Sequence, residues 1–375
     1  MTRSAVICGY KRSPFTFANK GALVKTRPDD MAAAVVRALV AESGIDPSAI
    51  EDLILGCAFP EGEQGFNLAR IVAMHAGLPV SVSGITVNRW CGSSMSAIHF
   101  AAAQIAMGAG DAFVCGGVES MSRIPMGGFN PMPNPAIKAT YPQIYMPMGE
   151  TAENLAKKYA IPRDEQDTFG LASQTKAAAA RAAGKFKDEI VPIGDATEDG
   201  CIRGESTLEG LAGLKPAFDE KGTVTAGTSS PLTDGASAVL VCAEEYAKAH
   251  NLPILARIKS IGVSGCDAEI MGIGPVPASL KALKRAGVSL ADIDIFELNE
   301  AFAAQSISVV RELKIDVSKL NLDGGAIALG HPLGASGARI TGKLASLLKR
   351  EKKKLGLATM CVGGGQGTAI VLESV

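Results

Sequence analysis

Short apolar runs alternate with longer amphipathic segments along most of this chain. Residues 5–8, 52–55 and 112–115 are apolar runs of strand length. Residues 29–43 begin with acidic side chains and stop before a glycine, which is the pattern of a helix. Residues 92–107 predict a second, longer helix of small side chains. This alternation of strands and helices predicts a layered α/β architecture.

The middle of the chain breaks this rhythm. Residues 123–147 are rich in Pro, Gly, Asn and Met and show no period, so they predict a loop-rich excursion. Residues 153–184 predict a polar-faced helical segment, and the α/β alternation resumes from Asp234. The predicted domains are an N-terminal half (1–120 and 232–251), an inserted loop domain (121–231) and a C-terminal half (252–375).

An internal repeat relates the two halves of the chain. Similar segments recur with one constant separation of 243 residues, as in the pairs Gly44 and Gly287, Gly56 and Asn299, Phe59 and Phe302, and Cys91 and Gly334. Chance similarity would not keep a single offset over so long a stretch. The repeat predicts two copies of one α/β unit packed face to face, with a site at their junction that takes residues from both.

Composition and charge exclude several classes of function. Apolar residues make up 47% of the chain, and 37 Lys and Arg balance 38 Asp and Glu. We therefore expect no nucleic-acid partner, and no apolar run approaches the roughly 18 residues of a membrane span. The four histidines and eight scattered cysteines show no metal-ligand spacing, so we expect no metal. Reduced cysteines without an export signal indicate a cytoplasmic protein.

Cys91 is the first candidate for chemistry. It stands where a strand-like run ends and the helix predicted over residues 92–107 begins. The positive end of a helix dipole favours a thiolate, so this position predicts a thiol with a lowered pKa. An isolated cysteine is more often an inert core residue. Its context of small residues, Gly92, Ser93 and Ser94, leaves room for a substrate and favours the catalytic interpretation.

His331 is the second candidate, because it lies in a glycine-rich turn and precedes Pro332. An irregular backbone with little steric cover suits a base that reaches another chain segment. The repeat places His331 three positions before the counterpart of Cys91, so the two residues could meet near a pseudo-twofold axis. His99 lies about 12 Å further along the helix that follows Cys91, which excludes it as the partner.

Cys361 ends an apolar strand and precedes a glycine loop that includes Gly363. Its thiol and the free N–H groups of the loop can therefore face one cavity, where they would stabilise an oxyanion. The loop fails as a dinucleotide fingerprint because Thr368 occupies a required glycine position. A P-loop-like run also fails, because Leu344 replaces the required hydroxyl residue. These two failures argue against a Rossmann-type dinucleotide site and against nucleotide hydrolysis.

Four motifs together resemble those of the thiolases. They are Asn-Arg-Trp-Cys-Gly-Ser-Ser at 88–94, Asn-Glu-Ala-Phe at 299–302, the Gly-His-Pro run through His331, and Cys-Val-Gly-Gly-Gly-Gln-Gly at 361–367. The resemblance covers essentially the whole chain. It implies a thiolase-like five-layer αβαβα fold built from two duplicated halves with an inserted loop domain. It also implies a homodimer or homotetramer built on a tight dimer.

The resemblance assigns a role to each candidate. Cys91 resembles the nucleophile that becomes acylated, and His331 resembles the base that activates it. Cys361 resembles the acid that protonates the acetyl-CoA carbanion and later deprotonates the incoming CoA. Asn299 resembles the residue that holds a water beside His331 in one oxyanion hole. The N–H groups of Cys91 and Gly363 resemble a second oxyanion hole.

The resemblance also implies which residues bind the substrate. CoA and its acyl thioesters are the expected small-molecule partners, with CoA as a substrate and no separate cofactor. The residues implied to line the CoA and acyl channel are Arg203, Ser230, Met148, Met271, Ala301 and Phe302. Gly210 stands where a serine near Arg203 is usual, so this chain departs from the family pattern at that CoA contact.

The thiolase subtype follows from smaller differences. Biosynthetic thiolases carry His-Met-Gly where this chain has Pro147 before Met148. Residues 92–95 and 227–230 look like those of degradative bacterial 3-ketoacyl-CoA thiolases of fatty-acid β-oxidation, which often form a complex with a hydratase/dehydrogenase subunit. We therefore predict thiolytic cleavage of 3-ketoacyl-CoA through an acyl-Cys91 intermediate.

Three alternatives remain. A biosynthetic acetoacetyl-CoA thiolase would run the Claisen condensation. A ketoacyl synthase would pair its cysteine with two histidines, or with His and Asn, whereas this chain offers a second cysteine. A non-catalytic acyl-CoA-binding relative would have lost Cys91 or His331, and both are present.

Overall fold

The computed structural model describes residues 3–375, and within them ten strands and twelve α-helices are formed. The strands are β1 (Ala5–Arg12), β2 (Thr16–Phe17), β3 (Asp52–Gly56), β4 (Ser83–Val87), β5 (Ala112–Ser120), β6 (Thr233–Ala243), β7 (Ala256–Gly265), β8 (Ile295–Leu298), β9 (Leu355–Val362) and β10 (Gln366–Glu373). The helices are α1 (Pro28–Ser43), α2 (Leu68–His75), α3 (Ser93–Met107), α4 (Pro135–Thr140), α5 (Met148–Lys158), α6 (Arg163–Ala182), α7 (Leu208–Ala212), α8 (Glu244–Ala249), α9 (Pro275–Ala286), α10 (Ala303–Leu313), α11 (Ala326–Leu329) and α12 (Leu333–Arg350).

The strongly patterned helices begin and end close to their predicted bounds. Helix α1 begins at Pro28, whose fixed φ suits a first helical position. Two aspartates in its first turn complement the helix dipole. The helix ends at Gly44, which adopts the left-handed conformation with φ 75°. Helix α3 begins at Ser93, one residue after the prediction.

Residues 153–184 are largely helical, as predicted, but the segment is interrupted once. Two helices, α5 and α6, occupy this region, and α5 already begins at Met148. Ala160 between them has φ 48°, and Pro162, which cannot continue a helix, caps α6. The preceding segment, residues 123–147, is irregular apart from the short helix α4 and a 3-10 turn at Pro142–Tyr145.

The sheet consists of two halves with the same topology. Its strand order is β4-β3-β5-β6-β1-β7-β10-β9-β8, and β2 pairs with β6. In each half a parallel pair, β3–β5 or β8–β9, is followed by two antiparallel pairings, β5–β6–β1 or β9–β10–β7. The first residues of β8 and β3 (295 minus 52) and of β9 and β5 (355 minus 112) are both 243 apart. The duplication expected from the repeat is therefore confirmed.

The contacts of the helices with the two halves of the sheet define five layers. Helices α3 and α12 contact each other and strands of both halves of the sheet, so they form the central layer. Helices α1 and α2 cover the outer face of the N-terminal half, and α9 and α10 cover that of the C-terminal half. The predicted αβαβα fold is confirmed.

Close backbone contacts between small residues join the two halves beside the site. A Cβ on Gly337 would lie 2.4 Å from the backbone N of Met95, so α12 and α3 can approach only because this residue is glycine. Ser94 Oγ accepts a hydrogen bond of 2.9 Å from the N–H of Ala338 at the same crossing. Because α3 and α12 cross near their N-termini, the residues that precede both helices are brought together. Those residues include Cys91 and His331.

Candidate active site

Cys91 lies in a sharp turn between β4 and α3. Trp90 has φ 47°, a left-handed conformation that is strained for a large side chain. The turn is closed by the N–H of Gly92, which donates to Arg89 O at 2.9 Å, and by Ser93 Oγ, which donates to Trp90 O at 2.6 Å. Cys91 is buried, and it is the last residue before the N-cap of α3.

His331 is held in one orientation from several sides. Its N–H donates to Thr233 Oγ1 at 3.0 Å, and its Nδ1 lies 2.5 Å from Ser336 Oγ. The Ser336 hydroxyl donates to Pro332 O at 2.9 Å, so it must accept from Nδ1–H. This network assigns the tautomer in which Nε2 carries a lone pair. Asn299 Nδ2 lies 3.3 Å from that nitrogen.

Cys361 belongs to the hairpin that joins β9 and β10. The turn consists of Gly363, Gly364 and Gly365, and the last two have φ 74° and 80°, which only glycine adopts readily. The backbone N–H of Gly363 is near enough to the Cys91 sulfur to lower the pKa of that thiol, and the Cys361 thiol is close enough for the charge of that sulfur to raise its own pKa. The two thiols and the glycine turn therefore form one cluster, although they come from different halves of the fold.

Burial keeps the three ionisable groups of the cluster neutral. It raises the pKa of the Cys91 thiol to about 12, against the opposing effect of the Gly363 N–H. Burial, and then the positive charge of Arg339, lowers the pKa of His331 to about 3. Burial also raises the pKa of Cys361 well above its usual value. The expectation of a lowered pKa for Cys91 was therefore wrong, because desolvation by burial outweighs the backbone N–H groups that favour the thiolate.

A cavity of about 580 Å³ opens over this cluster. The candidate residues that line it are Cys91, His331, Cys361, Gly363, Ser230, Met148, Met271, Ala301 and Phe302. Asn299 is fully buried, and its side-chain amide contacts Nε2 of His331. Ser230 reaches the cavity because its N–H and its Oγ both donate to Ala301 O, at 3.0 and 3.1 Å. Eight of the nine lining candidates thus surround Cys91.

Arg203 is the one candidate that the structure places apart from the others. It is absent from the described residues that line the cavity, and its Nε has no hydrogen-bond partner within residues 3–375. Its backbone N–H donates to Gln174 Oε1 at 2.7 Å, which fixes this segment against α6. A contact between Arg203 and CoA remains a prediction.

Two supporting residues were missed in the sequence. Ser336 fixes the tautomer of His331, but a serine in the first turn of a helix gives no signal of that role. Glu119, the penultimate residue of β5, is a buried carboxylate that accepts from the N–H groups of Ala58 and Gly334, at 2.8 and 2.9 Å. It ties the start of α12 to the N-terminal half. An acidic residue in an otherwise apolar strand was the available signal.

The described part of the chain has neither a membrane-spanning helix nor a cluster of metal-ligating side chains. Within residues 3–375, no helix is long and apolar enough to cross a membrane. The same residues contain no group of three or more His, Cys, Asp or Glu side chains placed to hold a metal ion.

Comparison with known proteins identifies the relatives of this chain. Residues 5–245 match the model of the thiolase N-terminal domain, and residues 252–374 match that of the thiolase C-terminal domain. The 3-ketoacyl-CoA thiolase of Bacillus subtilis strain 168 is 47% identical, over 99% of each chain. The 3-ketoacyl-CoA thiolase of Shewanella denitrificans is 49% identical, over 100% of each chain.

Solved structures show the same fold. Human mitochondrial 3-ketoacyl-CoA thiolase in complex with CoA has a TM-score of 0.92 and 40% identity, covering 100% of this chain and 98% of the other. The acetyl-CoA acetyltransferase of Bacillus anthracis has the same TM-score and identity, covering 100% of this chain and 99% of the other.

Proposed function

This chain belongs to the thiolase family, and from this premise we propose that it cleaves 3-ketoacyl-CoA with a second molecule of CoA. The products are acetyl-CoA and an acyl-CoA shortened by two carbons. One observation carries the proposal: two thiols and a histidine whose Nε2 is unprotonated converge on one cavity. This combination of nucleophile, base and second acid is what the two-step reaction needs.

In the first half-reaction, Cys91 Sγ attacks the 3-keto carbon and its proton passes to His331 Nε2. The C2–C3 bond then breaks, and its electron pair leaves as the enolate of acetyl-CoA. The Cys361 thiol protonates that enolate, so acetyl-CoA departs and the shortened acyl group remains as a thioester on Cys91. The N–H groups of Cys91 and Gly363 stabilise the oxyanion at the 3-keto carbon.

In the second half-reaction, CoA enters and gives its thiol proton to the Cys361 thiolate. The CoA sulfur attacks the acyl carbonyl, the thioester bond to Cys91 breaks, and the proton held on His331 returns to the Cys91 sulfur. In the first half-reaction, Asn299, which lies against His331 Nε2, contributes to the polar environment in which the enolate oxygen develops charge. Both thiols end neutral, which matches the raised pKa of each in the unliganded site.

The degradative direction and β-oxidation form part of the same proposal. Pro147 replaces the histidine of the biosynthetic pattern, and both it and Met148 line the cavity. Met132, a further lining residue, is strongly exposed, so the cavity reaches solvent on that side. A cavity with an open side accommodates acyl chains longer than that of acetoacetyl-CoA.

Thiolysis rates across a series of chain lengths test this proposal. We expect kcat/KM for a 3-ketoacyl-CoA of about ten carbons to exceed that for acetoacetyl-CoA, because a longer chain buries more apolar surface, about 0.8 kcal/mol per CH₂. A strict preference for acetoacetyl-CoA would instead favour the biosynthetic alternative, in which the enzyme runs the Claisen condensation.

The assembly and domain organisation are proposed on structural grounds. Strand β4 is an edge strand, and Phe66, Val80 and Ile85 are exposed on or near it. An exposed apolar edge favours pairing with a second copy, which supports a homodimer or homotetramer. The long connection between β5 and β6, which includes helices α4 to α7, supports an inserted domain at 121–231. The N-terminal half then consists of 1–120 and 232–251, and the C-terminal half of 252–375. A hydratase/dehydrogenase partner and a cytoplasmic location complete the proposal.

A further inference from the structure

Methionine is concentrated around the active-site cavity. The sequence holds 12 methionines, and six of those that the structure describes line this one cavity: Met121, Met126, Met132, Met146, Met148 and Met271. A methionine side chain has three rotatable bonds and a polarizable sulfur, so it adapts to ligands of different shape. It also makes favourable contacts with the edges of aromatic rings.

The methionines form a gradient from the core to solvent. Met121 and Met271 are buried within the two apolar clusters that contain Cys91 and Cys361. Met126 and Met132 lie in the irregular segment 123–147 and are 44% and 81% exposed. The part of the wall next to solvent is therefore flexible, and its sulfur atoms are available to a bound group.

An aromatic pair lies beside the nucleophile. The rings of Phe59 and Trp90 pack edge to face, with centroids 5.5 Å apart and an angle of 87°. Trp90 directly precedes Cys91, lines the cavity and is 42% exposed. An acyl group carried on Cys91 therefore lies close to an indole ring that still has free surface. Aromatic rings prefer such edge-to-face partners by more than their apolar area explains.

We propose that this cavity takes 3-ketoacyl-CoA substrates whose acyl chain ends in an aromatic ring, as well as straight-chain substrates. This inference rests on the proposed thiolysis and adds a substrate class to it. A terminal ring gains contacts with Trp90 and with the sulfur atoms of Met126 and Met132. A straight chain of equal carbon number gains apolar burial but neither kind of aromatic contact.

Paired substrates test the inference. The ring-bearing probe is 3-oxo-5-phenylpentanoyl-CoA, and 3-oxoundecanoyl-CoA is the straight-chain probe of equal carbon number. We expect the ring-bearing probe to have the higher kcat/KM, by about two- to tenfold, which corresponds to one good contact between sulfur and a ring. Because both probes are measured with the same enzyme sample, the ratio of the two kcat/KM values does not depend on the concentration of active enzyme.

The double variant Met126→Leu with Met132→Leu tests the methionines directly. Leucine keeps the apolar volume but lacks the sulfur and one rotatable bond. Both positions are exposed, so the substitutions leave the core intact. We expect the kcat/KM ratio of ring-bearing to straight-chain probe to fall by about two- to tenfold. The matched control is Met107→Leu, an exposed methionine at the end of α3 outside the cavity, which should leave the ratio unchanged.

Two results would overturn the inference. One is a kcat/KM ratio of ring-bearing to straight-chain probe that lies below one for the native enzyme. The other is a kcat/KM ratio that the double variant Met126→Leu with Met132→Leu leaves unchanged. If the native enzyme cleaves neither probe and no straight-chain 3-ketoacyl-CoA, the proposed thiolysis itself fails, which is a distinct outcome. Normal cleavage of the straight chain with slow cleavage of the ring-bearing probe rejects only the added substrate class.

Discussion

At the residue scale, burial favours a neutral thiol at Cys91 and a neutral imidazole at His331 over an ion pair. Burial raises the pKa of Cys91 and lowers that of His331, and the residues that surround the pair do not reverse either effect. Proton transfer from Cys91 to His331 must then accompany attack on the substrate. The carbonyl of the bound substrate and the N–H groups of the glycine turn supply the stabilisation that makes this transfer favourable.

The pH dependence of alkylation tests this protonation state. The thiolate is the reactive form, and below the pKa of the thiol its population grows with rising pH. We therefore expect the rate of modification of Cys91 by iodoacetamide to rise about tenfold per pH unit between about pH 7 and 9, without a plateau. The modified peptide is quantified by mass spectrometry, with Cys91→Ser as the blank. A plateau near neutral pH would instead demonstrate a thiolate–imidazolium pair.

At the element scale, the sequence predicts where the helices and strands lie better than it predicts how they pack against one another. The repeat predicts that Cys91 and His331 precede equivalent helices, and the crossing of α3 and α12 explains their proximity. The break between α5 and α6 is signalled by Pro162, which cannot continue a helix. The sequence does not reveal that Ser336 orients His331, because a serine in the first turn of a helix is common whatever it contacts. It also does not reveal the partners of Glu119, which are distant in the chain.

The crossing of α3 and α12 depends on Gly337. The Cβ of an alanine there would lie 2.4 Å from Met95 N, so the two helices must move apart. We expect Gly337→Ala to lower the free energy of unfolding by about 1–3 kcal/mol or more, and to reduce kcat through displacement of Cys91 from His331.

Urea unfolding and steady-state kinetics measure these two effects. The matched control is Gly213→Ala at the end of α7, where the nearest atoms to a new Cβ are 3.7 Å away. Its unfolding midpoint and its kcat should stay close to those of the native enzyme. An unchanged unfolding midpoint and kcat for Gly337→Ala would show that the crossing tolerates a wider separation.

At the scale of the whole molecule, the inserted segment is fixed to the body of the fold by buried charges. Arg12 on β1 is fully buried and forms two hydrogen bonds with Asp199, at 2.6 and 2.7 Å. Lys343 on α12 pairs with Glu189 of the inserted segment at 3.1 Å, and Asp323 of the C-terminal half also pairs with Lys343, at 2.8 Å. Removing one partner of such a pair leaves an uncompensated buried charge, so these contacts hold the inserted segment in a defined position over the site.

The oligomeric state tests the role proposed for the β4 edge. Ile85 is 47% exposed on this strand, so Ile85→Glu would place a charge where a second copy is expected to pair. Light scattering after gel filtration should show an oligomer for the native protein and a smaller species for Ile85→Glu. Val317→Glu, at an exposed site on the C-terminal half, is the control and should remain oligomeric. A native monomer, or an unaffected Ile85→Glu oligomer, would contradict this assembly.

The central claim is a division of labour between two cysteines, in which Cys91 carries the acyl group and Cys361 moves the carbon-bound proton. The most direct measurement combines intact-protein and peptide mass after incubation with an acyl-CoA with deuterium uptake by acetyl-CoA in D₂O. We predict that Cys361→Ala still gains the acyl mass on the peptide containing Cys91 but exchanges deuterium at least about a hundredfold more slowly than the native enzyme. Cys91→Ala should gain no acyl mass. Acylation found on another cysteine, or native-rate exchange by Cys361→Ala, would contradict the account.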